Sequence, residues 1–256
     1  MKARLETNEF KRMVSAVEYA ADTGAHHREG YNAIHLRINE NRLDVFAADG
    51  FRLAWEDVTV MCDGASSTIG IEAKALRKAA TACAKGRAHE LIDLETFDDE
   101  LRLIVNGEEH RLPIIARMDM LSKFLDAGTF QFTAPTAELD PEAIIPALGK
   151  RGKDAWLRIF ATERSGIAPG WMVIGEPREN STTHFMDVAN VGPILRFEPE
   201  RSTWADVNAR WLIDALKATK NASYCELSID KRKGVRINNG EGGLHIIMPM
   251  QNKETR

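Results

Sequence analysis

Apolar residues in this chain follow two rhythms, one near 3.6 residues and one of 2, and the order in which the rhythms occur is written twice. Phe10, Met13, Val14 and Val17 form an i, i+3, i+4, i+7 stripe behind Asn8, a residue type suited to capping a helix. Three short strand-like runs follow at 33–38, 43–47 and 51–55, and Asp49-Gly50 is a hairpin-turn signal between the last two. A second helix is predicted from about residue 72 to 84, then two further strands at 90–94 and 101–105.

The second half runs through the same order. Asp140-Pro141-Glu142 reads as a helix start, and Pro146 shortens or kinks that helix. Strands are predicted at 156–160, 171–174 and 184–188, a helix from about 208 to 220, and last strands at 226–229 and 244–248. With a shift of about 134–136 positions, the stretch beginning at Ile71 falls on the one beginning at Val207. Leu112-Pro113-Ile114 falls on Met248-Pro249-Met250, and the first helix falls near Ile144, Ile145 and Leu148. The repeat is domain-sized, so it predicts two α+β domains of one fold, 1–122 and 123–256, each with two helices on strands and a joint near 118–133.

Composition narrows the class. A chain of 256 residues with 44% hydrophobic content has material for two cores. It holds no apolar run of membrane-spanning length, and its N-terminus lacks the apolar core of a signal peptide, so a cytoplasmic location is expected and no membrane partner. Cys62, Cys83 and Cys225 are odd in number and far apart, which suits neither disulfides nor zinc; Cys83 reads as a small core residue. The seven histidines show no metal-ligand spacing, and nucleophile-elbow, phosphate-loop and dinucleotide motifs are absent from the sequence. No catalytic residue, metal or cofactor is therefore expected. Asp98-Asp99-Glu100 sits between two strand candidates and reads as a solvated turn rather than a metal cluster.

The net charge of −4 means that any contact with a polyanion must come from a local basic face. The helices offer such faces. Lys74, Arg77, Lys78 and Lys85 share one side of the second helix, opposite Leu76, Ala79, Ala80 and Cys83. The fourth helix carries Arg210, Lys217 and Lys220, with Asp214 as a counter-charge. Lys11 and Arg12 lie on the first, and Lys150, Arg151 and Lys153 follow the third. Two readings stand: solvating charge on exposed helix faces, or a sequence-blind contact with phosphates.

Four short segments, taken in order, resemble the sliding clamp of bacterial replication, the beta subunit of DNA polymerase III. The segment from Ala47 through Asp49-Gly50-Phe51-Arg52-Leu53 to Ala54 is similar to that family's A-T-D-G-H-R-L-A, with Ala48 for Thr and Phe51 for His. Ile247-Met248-Pro249-Met250-Gln251 is similar to its terminal V-M-P-M-R-L. The run from Arg28 through Tyr31 to Asn32 resembles R-x-x-L-N-G, and the one from Asn208 to Leu216 resembles N-x-x-Y-L-L-D-x-L. The family has three such domains per chain; this sequence matches the middle and last, and in having two it resembles the eukaryotic and archaeal clamp, proliferating cell nuclear antigen.

The resemblance implies a DNA-clamp fold and a non-enzymatic processivity factor that encircles duplex DNA as a ring. Six domains from two-domain chains imply a head-to-tail homotrimer. The implied partners are double-stranded DNA without sequence preference, DNA polymerase, the clamp loader and other proteins carrying clamp-binding peptides. The partner-peptide groove would use Tyr31, Ala48, Gly50, Phe51, Arg52 and Leu53 on one side and Ile246, Ile247, Met248, Pro249 and Met250 on the other. The DNA-facing cations would be Lys11, Arg12, Lys74, Arg77, Lys78, Lys85, Lys150, Arg151, Arg210 and Lys217. The alternative is a clamp-like adaptor or decoy that binds peptides without encircling DNA.

Overall fold

The computed structural model describes residues 2–21, 30–63, 67–87, 89–116, 136–150, 155–162, 171–177, 185–196, 204–230, 234–240 and 242–249. The chain divides into two compact units, Met1–Thr129 and Phe130–Arg256. The expected joint at 118–133, with its boundary at 122/123, lies outside the described residues.

The first unit runs β1 (Lys2–Glu6), α1 (Thr7–Val17), a 3-10 turn (Glu18–Ala20), β2 (Ala33–Asn39), β3 (Arg42–Ala48), β4 (Arg52–Thr59), β5 (Met61–Asp63) and β6 (Ser67–Glu72). It continues with α2 (Ala73–Ala84), β7 (Leu91–Phe97), β8 (Glu100–Val105) and β9 (Glu108–Ala116). Every pairing is antiparallel. One sheet has the order β5-β1-β7-β8-β9 and the other β9-β6-β2-β3-β4, so β9 belongs to both. Strand alternation sends Ala3 and Leu5 inward, with Ile92 and Leu94 of β7 and Leu101, Leu103 and Val105 of β8. The outward positions form ion pairs instead, Lys2 with Glu95 and Arg4 with Asp93.

Both helices lie against the inner faces of these sheets and against each other. Phe10, Met13, Val14 and Val17 of α1 and Leu76, Ala79, Ala80 and Cys83 of α2 are buried with Ile34, Leu36, Ile38, Val45 and Ile69 in one core. Each of the large apolar side chains contributes roughly 1.5–3 kcal/mol by leaving water. The entry to α1 differs from the sequence expectation. Asn8 does not cap it: β1 runs directly into the helix, Glu6 holds the cap position without a side-chain bond, and Thr7 is already helical. The first free donor is satisfied from a distant turn, Thr7 N–H to Glu90 O at 2.9 Å, while the Thr7 hydroxyl donates to Arg87 O. At α2 the Glu72 carboxylate accepts from Ala75 N–H at 2.6 Å.

The second unit runs β10 (Thr136–Glu138), α3 (Pro141–Leu148), β11 (Trp156–Thr162), β12 (Trp171–Pro177), β13 (Phe185–Arg196), β14 (Trp204–Asn208), α4 (Ala209–Thr219), β15 (Glu226–Asp230), β16 (Gly234–Asn238) and β17 (Leu244–Ile247). Its pairings mirror the first. β10 joins β13 and β15 as β1 joins β5 and β7, and β11 joins β12 and β14 as β2 joins β3 and β6. β15-β16-β17 follows β7-β8-β9. Asp140 caps α3 through the N–H groups of Glu142 and Ala143, and Asn208 caps α4 through those of Arg210 and Trp211. Pro146 falls inside α3, which spans 8 residues against 11 for α1.

Candidate functional site

The β3–β4 turn is built around one carboxylate. Asp49 Oδ1 accepts from Phe51 N–H at 2.9 Å and Arg52 N–H at 2.8 Å, and Gly50 between them takes φ +87°. Asp49 Oδ2 accepts from Arg52 Nε and Nη2 at 2.8 and 2.6 Å, and the guanidinium lies 5.6 Å from the centre of the Tyr19 ring. The Arg52 side chain is only 12% exposed, so it braces the turn rather than projecting from it. Phe51 is held at the tip with 56% of its surface in water. Ala48 and Leu53, paired across the hairpin, are buried beneath it. Tyr31 is half-buried and follows Gly30, whose carbonyl accepts from His35 Nε2–H at 3.0 Å.

In the second unit, Ile246 and Ile247 on β17 are fully buried and can only back a surface. Met248 emerges from the strand end at 39% exposure and Pro249 is half-buried. Met250 lies outside the described residues. Among the described residues of the expected peptide site, the large apolar side chains most exposed are Phe51 and Met248. The roles of Asp49 and Tyr19 escaped the sequence reading; an Asp ahead of Gly-x-Arg was the available signal, since its carboxylate reaches the N–H groups two and three residues on.

The basic helix faces fare unevenly. Lys74, Arg77, Lys78 and Lys85 are all exposed, as are Lys150, Arg210 and Lys217. Arg77 is tied to Glu18 at 2.6 Å, and Arg210 lies 4.0 Å from Asp214. Lys11 is half-buried and Arg151 lies outside the described residues. Arg12 is committed inward: Nη1 reaches Glu56 at 2.6 Å and Nη2 reaches Glu9 at 2.7 Å. Glu56 has no exposure and projects from the core-facing side of β4. The hydrogen bond to Glu9, with Glu56 alongside, holds the Arg12 guanidinium well above its ordinary pKa. Its chief work is to pin α1 onto the sheet.

Among the described residues no group of three His, Cys, Asp or Glu is placed to hold a metal, and no helix is long and apolar enough to cross a membrane. Asp98 and Asp99 form the two-residue turn between β7 and β8, with Asp98 at φ +50°.

No protein-family model and no curated protein matches the sequence. Solved structures do. The chain superposes on the DNA polymerase sliding clamp of Bacillus subtilis with a TM-score of 0.76 at 14% identity, and on the beta sliding clamp of C. crescentus with 0.76 at 17%. The DNA polymerase III beta subunit of Thermotoga maritima gives 0.77 at 16%. Each comparison covers 98% of this chain but only 64%, 66% and 66% of those chains, slightly under two thirds of their length. Two units of matching pairing order, each with two α-helices on antiparallel sheets among the described residues, give this chain the fold of the DNA polymerase III beta sliding clamps in a shorter form.

Proposed function

We propose that this protein is a DNA sliding clamp: a non-enzymatic, cytoplasmic processivity factor whose chains close head-to-tail into a ring around duplex DNA. The observation that carries the reading is the clamp fold over 98% of the chain, present as two units of like topology. Each unit is one clamp domain, and three chains supply six. The cations on α2 and α4 face the phosphates, where weak and mobile contacts suffice because a ring retains DNA by topology.

Two surfaces receive the peptides of polymerase, loader and repair proteins. One is the β3–β4 turn with Phe51 at its tip over Ala48, Leu53 and Arg52, and Tyr31 nearby. The other is the β17 end with Met248 and Pro249 over Ile246 and Ile247, continuing to Met250. An exposed aromatic and a methionine beside a proline suit apolar peptide anchors. Phe51 and Ala48 make this surface more apolar than the His and Thr of the family motif, which shifts its peptide preference.

The test is the mass of the assembly by light scattering, together with retention on closed circular DNA and release after linearisation. A trimer that stays on circles and leaves linear ends is expected. A monomer that binds a polymerase peptide and is lost equally from both DNAs would make the protein a peptide-binding adaptor instead. The Met248→Ala, Met250→Ala double variant should lose the peptide and keep its mass; unchanged affinity removes the β17 end from the partner surface.

A further inference from the structure

Four residues form one row across β10, β15, β16 and β17: Thr136 stands opposite Ser228, Ser228 opposite Arg236, and Arg236 opposite Ile246. Strand alternation sets this row on the other side of the sheet from the buried Leu227, Ile229, Val235 and Ile237. Thr136 and Ser228 are themselves buried and bond each other, Oγ1 to Oγ at 2.9 Å, which uses one of their two hydroxyl protons. Ile246 is buried at the far end, and Arg236 between them is half-buried.

Arg236 differs from the other arginines that keep a guanidinium nitrogen from water. Arg37 is held by Asp44 at 2.6 Å and Arg102 by Glu109 at 3.2 Å. Arg236 Nε has no hydrogen-bond partner, and the side chain forms no ion pair among the described residues. Glu226, the carboxylate whose charge it feels, accepts instead from the Tyr224 hydroxyl at 2.7 Å. Burial pushes the guanidinium below its ordinary pKa, against the smaller pull of Glu226. Taking a charge partly out of water with no carboxylate bonded costs stability, and a neutral side chain of like length would avoid the cost.

The row ends beside the surface proposed above for partner peptides. Gly234, two residues before Arg236 on the same side of β16, takes φ +96° and lies against the backbone that carries Met248. A β-carbon at Gly234 would stand 3.0 Å from the Ile247 carbonyl carbon and 2.9 Å from Pro249 N. Resting on that reading, we infer that Arg236 reads a carboxylate side chain of the docked peptide, while Met248 meets a neighbouring apolar anchor. Among the Arg236 nitrogens only Nε is cut off from water, so Nη1 and Nη2 are open to a ligand as an end-on fork for two oxygens. One guanidinium balances one carboxylate. A phosphate dianion would need a second cation, and Glu138 and Glu226, paired one step along on the same face, are acidic.

The test uses the intact protein and a clamp-binding polymerase peptide amidated at its C-terminus. One Glu is moved through the positions beside the apolar anchors, and each Glu peptide is matched by one with Gln in its place. In calorimetric titration the wild-type protein should bind the Glu form about tenfold more tightly at one position. Arg236→Gln should bring that Glu peptide down to the affinity of its Gln partner, and Arg236→Lys should keep part of the preference. Affinity for the Gln peptide should be the same in all three proteins, which shows that the fold and the apolar dock survive the substitution. Equal wild-type affinity for the Glu and Gln forms at every position would overturn the carboxylate role and leave the partner surface standing. Loss of both forms together in Arg236→Gln would also overturn it, making Arg236 a support of β17. A wild-type protein that binds no peptide of the set removes the partner surface, and this site with it.

Discussion

His35 on β2 stands directly across from Gly70 on β6, and its imidazole occupies the space that a side chain at Gly70 would need. A β-carbon there would lie 3.1 Å from two atoms of the ring and 3.0 Å from the β-carbon of Ala116. The ring cannot retreat: it is stacked on Phe46 at 5.2 Å and donates from Nε2 to Gly30 O. At the same register of the second unit, Arg158 stands across from Asp206 and bonds it at 2.6 and 2.8 Å, with Trp204 3.9 Å beyond. One topology thus carries a wedged neutral ring in one copy and an ion pair in the other.

Gly70→Ala is therefore expected to destabilise the first unit by overpacking, by about 1–3 kcal/mol. The readout is the midpoint of urea unfolding followed by a probe in that unit. A midpoint equal to or above wild type would show that His35 or β9 gives way freely.

Burial lowers the His35 pKa below its ordinary 6.5, against a smaller opposing effect of the bond to Gly30. The native state then binds fewer protons than the unfolded one. Stability from this group is fully present above pH 6.5 and is lost as pH falls from there toward the lowered folded value. The limiting loss is one proton, about 1.4 kcal/mol per pH unit. His35→Gln should flatten the decline of stability between neutral and mildly acid pH. Parallel wild-type and variant profiles would assign the acid sensitivity elsewhere.

The helices and the duplication were legible because their signals are local. The α1 stripe, the Asp140 helix start and the α2 face each lie within a few residues of sequence. Several strands were not legible. β1 reads Lys-Ala-Arg-Leu-Glu, with only Ala3 and Leu5 inward, and β9 opens on Glu-Glu-His-Arg and contains Pro113. β13 runs on through Gly192 and Pro193 to Arg196, well past the predicted end at 188. Such segments become strands through their neighbours, as when Lys2 to Glu6 gain β7 as partner. The proposed peptide site rests on the family resemblance, since neither Phe51 nor Met248 by itself announces a groove. The inward commitment of Arg12 was invisible, because Glu56 is 44 residues away in sequence.

That commitment separates two roles for Arg12. As a phosphate contact, its loss would change the salt slope of DNA binding and spare stability. As the clip between α1 and Glu56, its loss withdraws a charged hydrogen bond from a buried carboxylate, worth about 1.5–3 kcal/mol. The guanidinium side is 39% exposed, which places the cost toward the lower end. Arg12→Gln should lower the unfolding midpoint and leave the salt slope unchanged. Glu56→Gln in the same chain should recover part of the loss by removing the buried charge. A variant of normal stability with a flattened slope would return Arg12 to the DNA surface.

Asp49 and Phe51 provide the last test, since one builds the turn and the other is presented by it. If the turn receives partner peptides, Phe51→Ala removes an exposed aromatic anchor and should cost about 1–2 kcal/mol of binding, roughly 5- to 30-fold in Kd. Folding should be untouched, because the ring is largely in water. Asp49→Ala acts by another route. It removes the acceptor for two backbone N–H groups and for the Arg52 guanidinium, so the turn loosens and Arg52 is released from its place over Tyr19. Peptide affinity and local stability should fall together, although Asp49 touches no peptide. Asp49→Asn keeps an acceptor oxygen for the backbone and gives up the charge, so it should fall between the two. Calorimetric titration with a clamp-binding polymerase peptide, alongside hydrogen exchange at Phe51 and Arg52, separates these cases. Full peptide affinity in Phe51→Ala would show that the turn is not where partners dock.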